Sequence, residues 1–170
     1  MNAVFLDRDG MLIVDPPDEV VDSVKKIQLI PETLEALKLL ATLDYGVILI
    51  SNQIGISKGR LTEDDFQLEL LKSTGIKILK TYFCPYAPED NCDCRKPKPG
   101  MLMQAAKEFD VDLVNSYMVG DRLSDVQVGI NAGTKTIILQ TGLKRVITDL
   151  ATHNASNILD AIKYIAAKTS

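Results

Sequence analysis

An α/β fold built on a doubly wound, mainly parallel sheet is what this sequence predicts, and two observations carry that prediction. Short apolar runs without polar alternation stand at residues 3–6, 47–50, 117–119 and 136–139, as expected of strands covered on both faces. Between them lie segments whose apolar residues recur at helical spacing, and strand alternating with helix is the signature of a parallel sheet.

Taken in order, Ala3-Val4-Phe5-Leu6 is the first strand. A loop follows over 10–28, with Pro16-Pro17 and the acids Asp15, Asp18, Glu19 and Asp22 ahead of the first base, Lys25. A long excursion directly after the first strand is a frequent carrier of function in such folds. A helix is predicted over 31–43, with Leu34, Leu37, Leu40 and Ala41 on one stripe. After the strand at 47–50 comes a helix over 62–71 that Thr62 can cap, then a strand near 78–84. Helices over 100–109 and 124–132 flank the strand at 117–119. Ile158, Leu159, Ile162, Ile165 and Ala166 mark a closing amphipathic helix, and the methionines, Met101 and Met103 included, read as packing residues. No repeat or low-complexity linker interrupts the chain, and 170 residues are expected to form one domain, 1–170.

Composition narrows the function. With 46% hydrophobic and 25% charged residues the chain can bury a core, which excludes a disordered or fibrous protein. A net charge of −4 lacks the basic field that nucleic-acid backbones require. No apolar stretch is long enough to span a bilayer, and Asp7 interrupts the start before a signal sequence could form. A cytoplasmic protein, with neither nucleic acid nor membrane as partner, is the expectation. Cys84, Cys92 and Cys94 are an odd number crowded in one loop, which suits thiols or a metal site in a reducing compartment. The sequon at Asn154 would then carry no glycan.

Ligands of open α/β sheets bind beyond the carboxyl ends of the strands, so the polar residues directly after each apolar run are the candidates. They are Asp7-Arg8-Asp9-Gly10, then Ser51-Asn52-Gln53, then Arg95-Lys96 after the cysteine loop, and finally Gly120-Asp121 with Asp125 four residues on. Carboxylates gathered in one pocket repel one another unless a hard cation such as Mg²⁺ neutralises them. Beside a hydroxyl, amides and a lysine, such a cation makes a site for a phosphoryl group, and a carboxylate aimed at phosphorus can attack it. Asp9 is placed to protonate the leaving oxygen and then to activate water. The chain has no Walker loop and no Gly-x-Gly-x-x-Gly, so the substrate would bring its own phosphate. A lone Asp after a strand is ordinarily a cap or turn former, and isolated Lys96, Arg95 or Ser51 would be ordinary surface groups. Only their joint placement raises them above that.

These four motifs, Phe5-Leu6-Asp7-Arg8-Asp9-Gly10, Ile50-Ser51-Asn52-Gln53, Cys92-Asp93-Cys94-Arg95-Lys96-Pro97-Lys98 and Val119-Gly120-Asp121-Arg122-Leu123-Ser124-Asp125, together resemble the haloacid dehalogenase superfamily. Within it they are similar to the small phosphatases that group histidinol-phosphate phosphatase with heptose 1,7-bisphosphate phosphatase, a resemblance that implies no separate cap domain. The resemblance implies Asp7 as nucleophile and Mg²⁺ ligand, Asp9 as general acid/base and a ligand through its carbonyl, and Asp121 as third protein ligand. It implies Arg8, Ser51, Asn52, Arg95 and Lys96 as phosphate-binding groups, with Asp125 supporting the metal ligands from behind. A receiver-type phosphoacceptor domain also uses strand-end aspartates, Mg²⁺ and a lysine, but its motif order does not supply Asp9 beside Asp7 together with Asp121 and Asp125.

The expected substrate is a small phosphate ester, taken by a monomer. Asp15-Pro16-Pro17 followed by Val21-Asp22 and Lys26, the compact cysteine loop and Gly120-Asp121-Arg122 resemble the histidinol-phosphate branch, and the four acids without a base would attract that substrate's ammonium and repel a second phosphate. Pro99-Gly100-Met101 resembles the heptose bisphosphate branch instead. The family's structural Zn²⁺ site is Cys-x-His with Cys-x-Cys, and here Tyr86 holds the histidine's place. Zn²⁺ on Cys84, Cys92 and Cys94 would then take water, Asp90 or Asp93 as its fourth ligand. Met11 stands where the superfamily usually has a threonine, and the segment between Phe66 and Tyr82 is shorter than usual.

Overall fold

The computed structural model describes residues 1–8, 11–12, 28–52, 71–141 and 146–169. Its strands are β1 (Ala3–Asp7), β2 (Gly46–Asn52), β3 (Ile78–Cys84), β4 (Tyr117–Gly120), β5 (Lys135–Leu139) and β6 (His153–Ala155). They form one sheet in the order β3-β2-β1-β4-β5-β6, with every neighbouring pair parallel. The helices are α1 (Pro31–Leu40), α2 (Gly100–Phe109), α3 (Leu123–Ala132) and α4 (Ile158–Thr169).

Residue alternation along the strands splits the core into two halves. Val4, Leu6, Val47, Leu49, Tyr117 and Val119 face Ala36, Leu37 and Leu40 of α1 and Ile158, Ala161, Ile162 and Ile165 of α4. Ala3, Phe5, Ile48, Ile50 and Met118 face Met101, Leu102 and Ala105 of α2 and Val128 of α3. Helices therefore cover both faces, which is why the strands read as unbroken apolar runs. Burial holds α1 in place more than its own ends do. It begins at Pro31 with no side-chain cap, and Leu37 and Leu40 at roughly 1.5–3 kcal/mol each outweigh an absent cap of about 1 kcal/mol.

Several details differ from expectation. Helix α1 ends at Leu40, not 43, because the chain turns at Ala41, whose N–H still bonds the Leu37 carbonyl. Its buried stripe is Thr33, Ala36, Leu37 and Leu40, while Leu34 is 39% exposed. Met101 is core but Met103 is half exposed. Strand β6 was not foreseen: His-Asn-Ala carries no apolar run, and pairing with β5 from Ile137↔His153 to Leu139↔Ala155 makes it a strand. The loop at 10–28 and the helix at 62–71 lie outside the described residues save for Met11, Leu12, Gln28 and Leu71, the last of which is helical and continues to Thr74. Among the described residues no helix is long and apolar enough to cross a membrane.

The strand order sets the position of the site. From β1 the chain moves outward through β2 and β3 on one side, whereas β4, β5 and β6 extend from its other side. The carboxyl ends of β1 and β4 thus flank a topological switch point, where connections diverge and leave a crevice.

Candidate active site

Asp7 is the last residue of β1 and Asp121 directly follows β4, so the two carboxylates face each other across that crevice. One oxygen each from Asp7, Asp121 and Asp125 lie within 4.8 Å of one another. Asp125 reaches the group from the first turn of α3. Its Oδ2 accepts the Arg122 N–H at 3.0 Å, closing the helix start, and its Oδ1 accepts from Lys96 Nζ at 2.5 Å. Gly120 makes this approach feasible: a Cβ there would stand 2.3 Å from Asp125 Oδ2.

Lys96 is the counter-charge. Its Nζ donates to Asp7 Oδ1 at 2.9 Å as well as to Asp125, and all three side chains are 5% exposed or less. Burial pulls the Lys96 ammonium down, but Asp125 and then Asp7 outweigh burial and hold it above the ordinary lysine range, so it stays charged. Lys96 pairs with two of the three carboxylates, and the third, Asp121, has the exposed Arg122 Nε at 3.9 Å. Burial first, then the Asp125 charge, pushes the Asp121 carboxyl up to about 6. Asp121 Oδ1 is buried without a hydrogen-bond partner. An orphaned carboxylate oxygen beside Asp7 fits a hard divalent cation. Asp121, with its unbonded oxygen, is suited to ligation, and Asp125, each of whose oxygens already accepts a hydrogen bond, to support.

The loop bearing Lys96 is fastened from several sides. Asn52, at the end of β2, accepts the Lys96 N–H on Oδ1 at 3.1 Å and donates from Nδ2 to the Lys96 carbonyl at 3.5 Å. Asn131 of α3 donates to the Pro97 carbonyl at 2.9 Å. A Cβ on Gly100 would stand 2.3 Å from the Asp93 carbonyl oxygen, so glycine lets α2 start against the cysteine loop.

The expected site residues are thus sorted by position. Asp7, Lys96, Asp121 and Asp125 converge, with Asn52 bonded to Lys96. Ser51 is buried at the end of β2, and Arg8 is buried directly after Asp7. Arg95 turns away toward the cysteine loop, its Nη1 donating to the Tyr86 carbonyl at 3.0 Å. Asp9 lies outside the described residues. Met11 is buried in the core among Leu6, Leu12 and Leu37, where it fills space and offers no hydroxyl. The bonds of Asn52 and Asn131 to the lysine loop were not foreseen, since nothing in sequence links residues 44 and 34 positions apart.

Cys84, Cys92 and Cys94 form a second cluster, with Sγ–Sγ distances of 2.8–3.2 Å. Burial raises the Cys92 thiol, yet hydrogen bonds from Cys94 and Cys84 outweigh it and bring it down to about 7. Cys94 is pushed up to about 12 by burial and by its two neighbours. A shared negative charge on sulfur is the donor set of a soft cation. Neither Asp90 nor Asp93 joins the three sulfurs as a fourth candidate ligand. Asp90 instead accepts the Ala87 N–H at 2.8 Å, and Tyr86 is half exposed.

The HAD-hydrolase-like family model matches residues 93–164. The chain is 40% identical to the D-glycero-beta-D-manno-heptose-1,7-bisphosphate 7-phosphatase of Helicobacter pylori strain J99, over 95% of this chain and 97% of that one. It is 38% identical to the D-glycero-alpha-D-manno-heptose-1,7-bisphosphate 7-phosphatase of Campylobacter jejuni, over 81% of each. In structure it is similar to D,D-heptose 1,7-bisphosphate phosphatase from B. bronchiseptica, solved with magnesium and phosphate, at a TM-score of 0.84, 29% identity and 99% of both chains.

Proposed function

This chain belongs to the haloacid dehalogenase-like phosphatases, and we propose that within them it removes the 7-phosphate of a D-glycero-D-manno-heptose 1,7-bisphosphate. The supporting observation is the buried Asp7–Lys96–Asp125 array beside the orphaned Asp121 oxygen at the switch point. The names of the relatives favour heptose over the histidinol phosphate expected from sequence. That expectation rested on short motifs such as Asp15-Pro16-Pro17 and the cysteine loop and on the acids of the 10–28 loop, and a count of charges in one loop does not say where they point.

In the proposed reaction Asp7 attacks phosphorus through a carboxylate oxygen, forming an acyl phosphate as the bond to the C7 oxygen breaks. Asp9 gives the leaving oxygen its proton. It then takes a proton from water, which attacks phosphorus, releases inorganic phosphate and restores Asp7. Lys96, held charged by its partners, steadies phosphoryl oxygens, and Ser51 adds a hydroxyl from β2. Mg²⁺ held by Asp7 and Asp121, with the Asp9 carbonyl, would draw charge from the phosphoryl group. Zn²⁺ on Cys84, Cys92 and Cys94, with water in the fourth position, would tie the end of β3 to the loop that carries Lys96.

Side-by-side phosphate release from the heptose 1,7-bisphosphate, in both anomers, and from L-histidinol phosphate tests the substrate. The expected kcat/KM is at least about a hundredfold higher for one heptose anomer, or about 2.7 kcal/mol in transition-state binding. A preference of that size for histidinol phosphate would overturn the proposal.

The cation reading makes a separate prediction. Because Asp121 has a folded pKa of about 6 against an ordinary 3.8, the folded protein binds the extra proton between those values. On this group's account its stability falls as pH rises through that window. A cation reverses the penalty by replacing the proton. At about 100 times its dissociation constant, Mg²⁺ adds about 2.7 kcal/mol, or roughly 5–10 °C for a chain this long. Thermal melts should show that rise at pH 7.5 and a smaller one at pH 5. No shift at either pH would remove the carboxylate cluster as a cation site.

A further inference from the structure

We infer that Asn52 is a positioning residue that acts through Lys96, in place of the phosphate contact its position after Ser51 implies. The inference rests on the phosphatase reading above for its consequence, and on geometry alone for its existence. The Asn52 carboxamide brackets the backbone of a single residue of the lysine loop: Oδ1 accepts the Lys96 N–H at 3.1 Å, and Nδ2 points at the Lys96 carbonyl, 3.5 Å away. Both hydrogen-bonding faces of the side chain are therefore directed at the residue whose ammonium bridges Asp7 and Asp125.

The arrangement answers a problem of reach. Lys96 carries a long side chain that loses much rotamer freedom when fixed, and its loop belongs to neither strand flanking the crevice. Asn52 ends β2, the strand paired with β1 from Ala3↔Gly46 to Asp7↔Ile50. A bond from Asn52 to the Lys96 backbone thus refers the lysine to the same sheet edge that carries Asp7. Asn131 holds the next residue, Pro97, from α3, which also carries Asp125. The lysine loop is tied to β2, the neighbour of the strand that supplies Asp7, and to α3, which supplies Asp125. Errors of about 1 Å in such a placement can lower rates about a hundredfold, so a side chain that touches no substrate can still govern turnover.

The test uses the full-length protein with Mg²⁺ and p-nitrophenyl phosphate, comparing parent and Asn52→Ala. Expected are a kcat/KM lower by about tenfold or more and exchange of the Lys96 amide hydrogen about tenfold faster by NMR. The ¹⁵Nζ resonance of Lys96 should move, while amides of β1 and β4 keep their protection. A fall in activity with Lys96 exchange unchanged would mean that Asn52 meets the substrate itself and would overturn the inference. Faster exchange with full activity, or no change in either, would overturn it as well. Should Asn52→Ala fail to fold, Asn52→Asp keeps the acceptor oxygen and is expected to leave the Lys96 amide protected; an unprotected amide there overturns the inference. A parent protein that hydrolyses no phosphomonoester would sink the proposed function, and the exchange measurement would still report on the Asn52–Lys96 contact.

Discussion

Asp7→Asn is expected to lower phosphate release by about 10⁴-fold, a loss of about 5.5 kcal/mol in transition-state stabilisation. The side chain keeps its shape and loses its charge, so the carboxylate that would attack phosphorus is replaced by an amide that does not. Folding is expected to survive. Lys96 retains Asp125 at 2.5 Å, and removing one of three clustered carboxylates eases the crowding around Asp121 while it weakens one ion pair. These effects oppose each other, which places the melting temperature within a few degrees of the parent. Phosphate release and a thermal melt on the same preparation check both halves. A folded variant with a tenth of the parent activity would remove Asp7 from the nucleophile's place.

The same buried array explains which parts of the molecule could be read from the sequence. Strands β1, β2, β4 and β5 were visible because helices cover both faces of the sheet, so their residues had to be apolar throughout. Asp7 and Asp121 were visible because they stand at the first polar position after such a run, where the topology of a parallel sheet puts ligands. What sequence reasoning missed depends on contacts between distant segments. Nothing local says that Asn52 bonds the backbone of Lys96, or that Gly120 is bare so that Asp125 can approach. Strand β6 lacked a signal because an edge strand of three residues is made by pairing, not by composition. The exposure of Leu34 was missed for a related reason: a helical stripe gives the period, but the packed neighbours decide its phase, and here Thr33 and Ala36 fill the side that Leu34 would have taken. The choice of substrate lay furthest from reach, since the 10–28 loop on which the expectation leaned lies outside the described residues save for Met11, Leu12 and Gln28.

Lys96→Ala should destabilise the fold by about 3–5 kcal/mol, the usual consequence of removing one partner from a buried ion pair. For a chain of 170 residues that is a melting temperature lower by about 6–20 °C, and phosphate release should fall with it. The magnitude follows from what is left behind. Asp7 and Asp125 would remain buried without their cation, close to an Asp121 that already holds its proton up to about 6. The pH dependence separates this cause from simple loss of packing. In the parent, the folded lysine pKa is raised above 10.5, so its contribution is complete below that value and constant between pH 5 and 8. In the variant, buried carboxylates without a counter-ion favour the protonated form. The folded state then binds more protons than the unfolded one, and its stability declines as pH rises. The gap between parent and variant melts should therefore be wide at pH 8 and narrow at pH 5. A gap equal at both would mean that the lysine stem fills space and its charge does not hold the site, whereas a gap that closes in acid places the ammonium between the two carboxylates as the group that lets them be buried together.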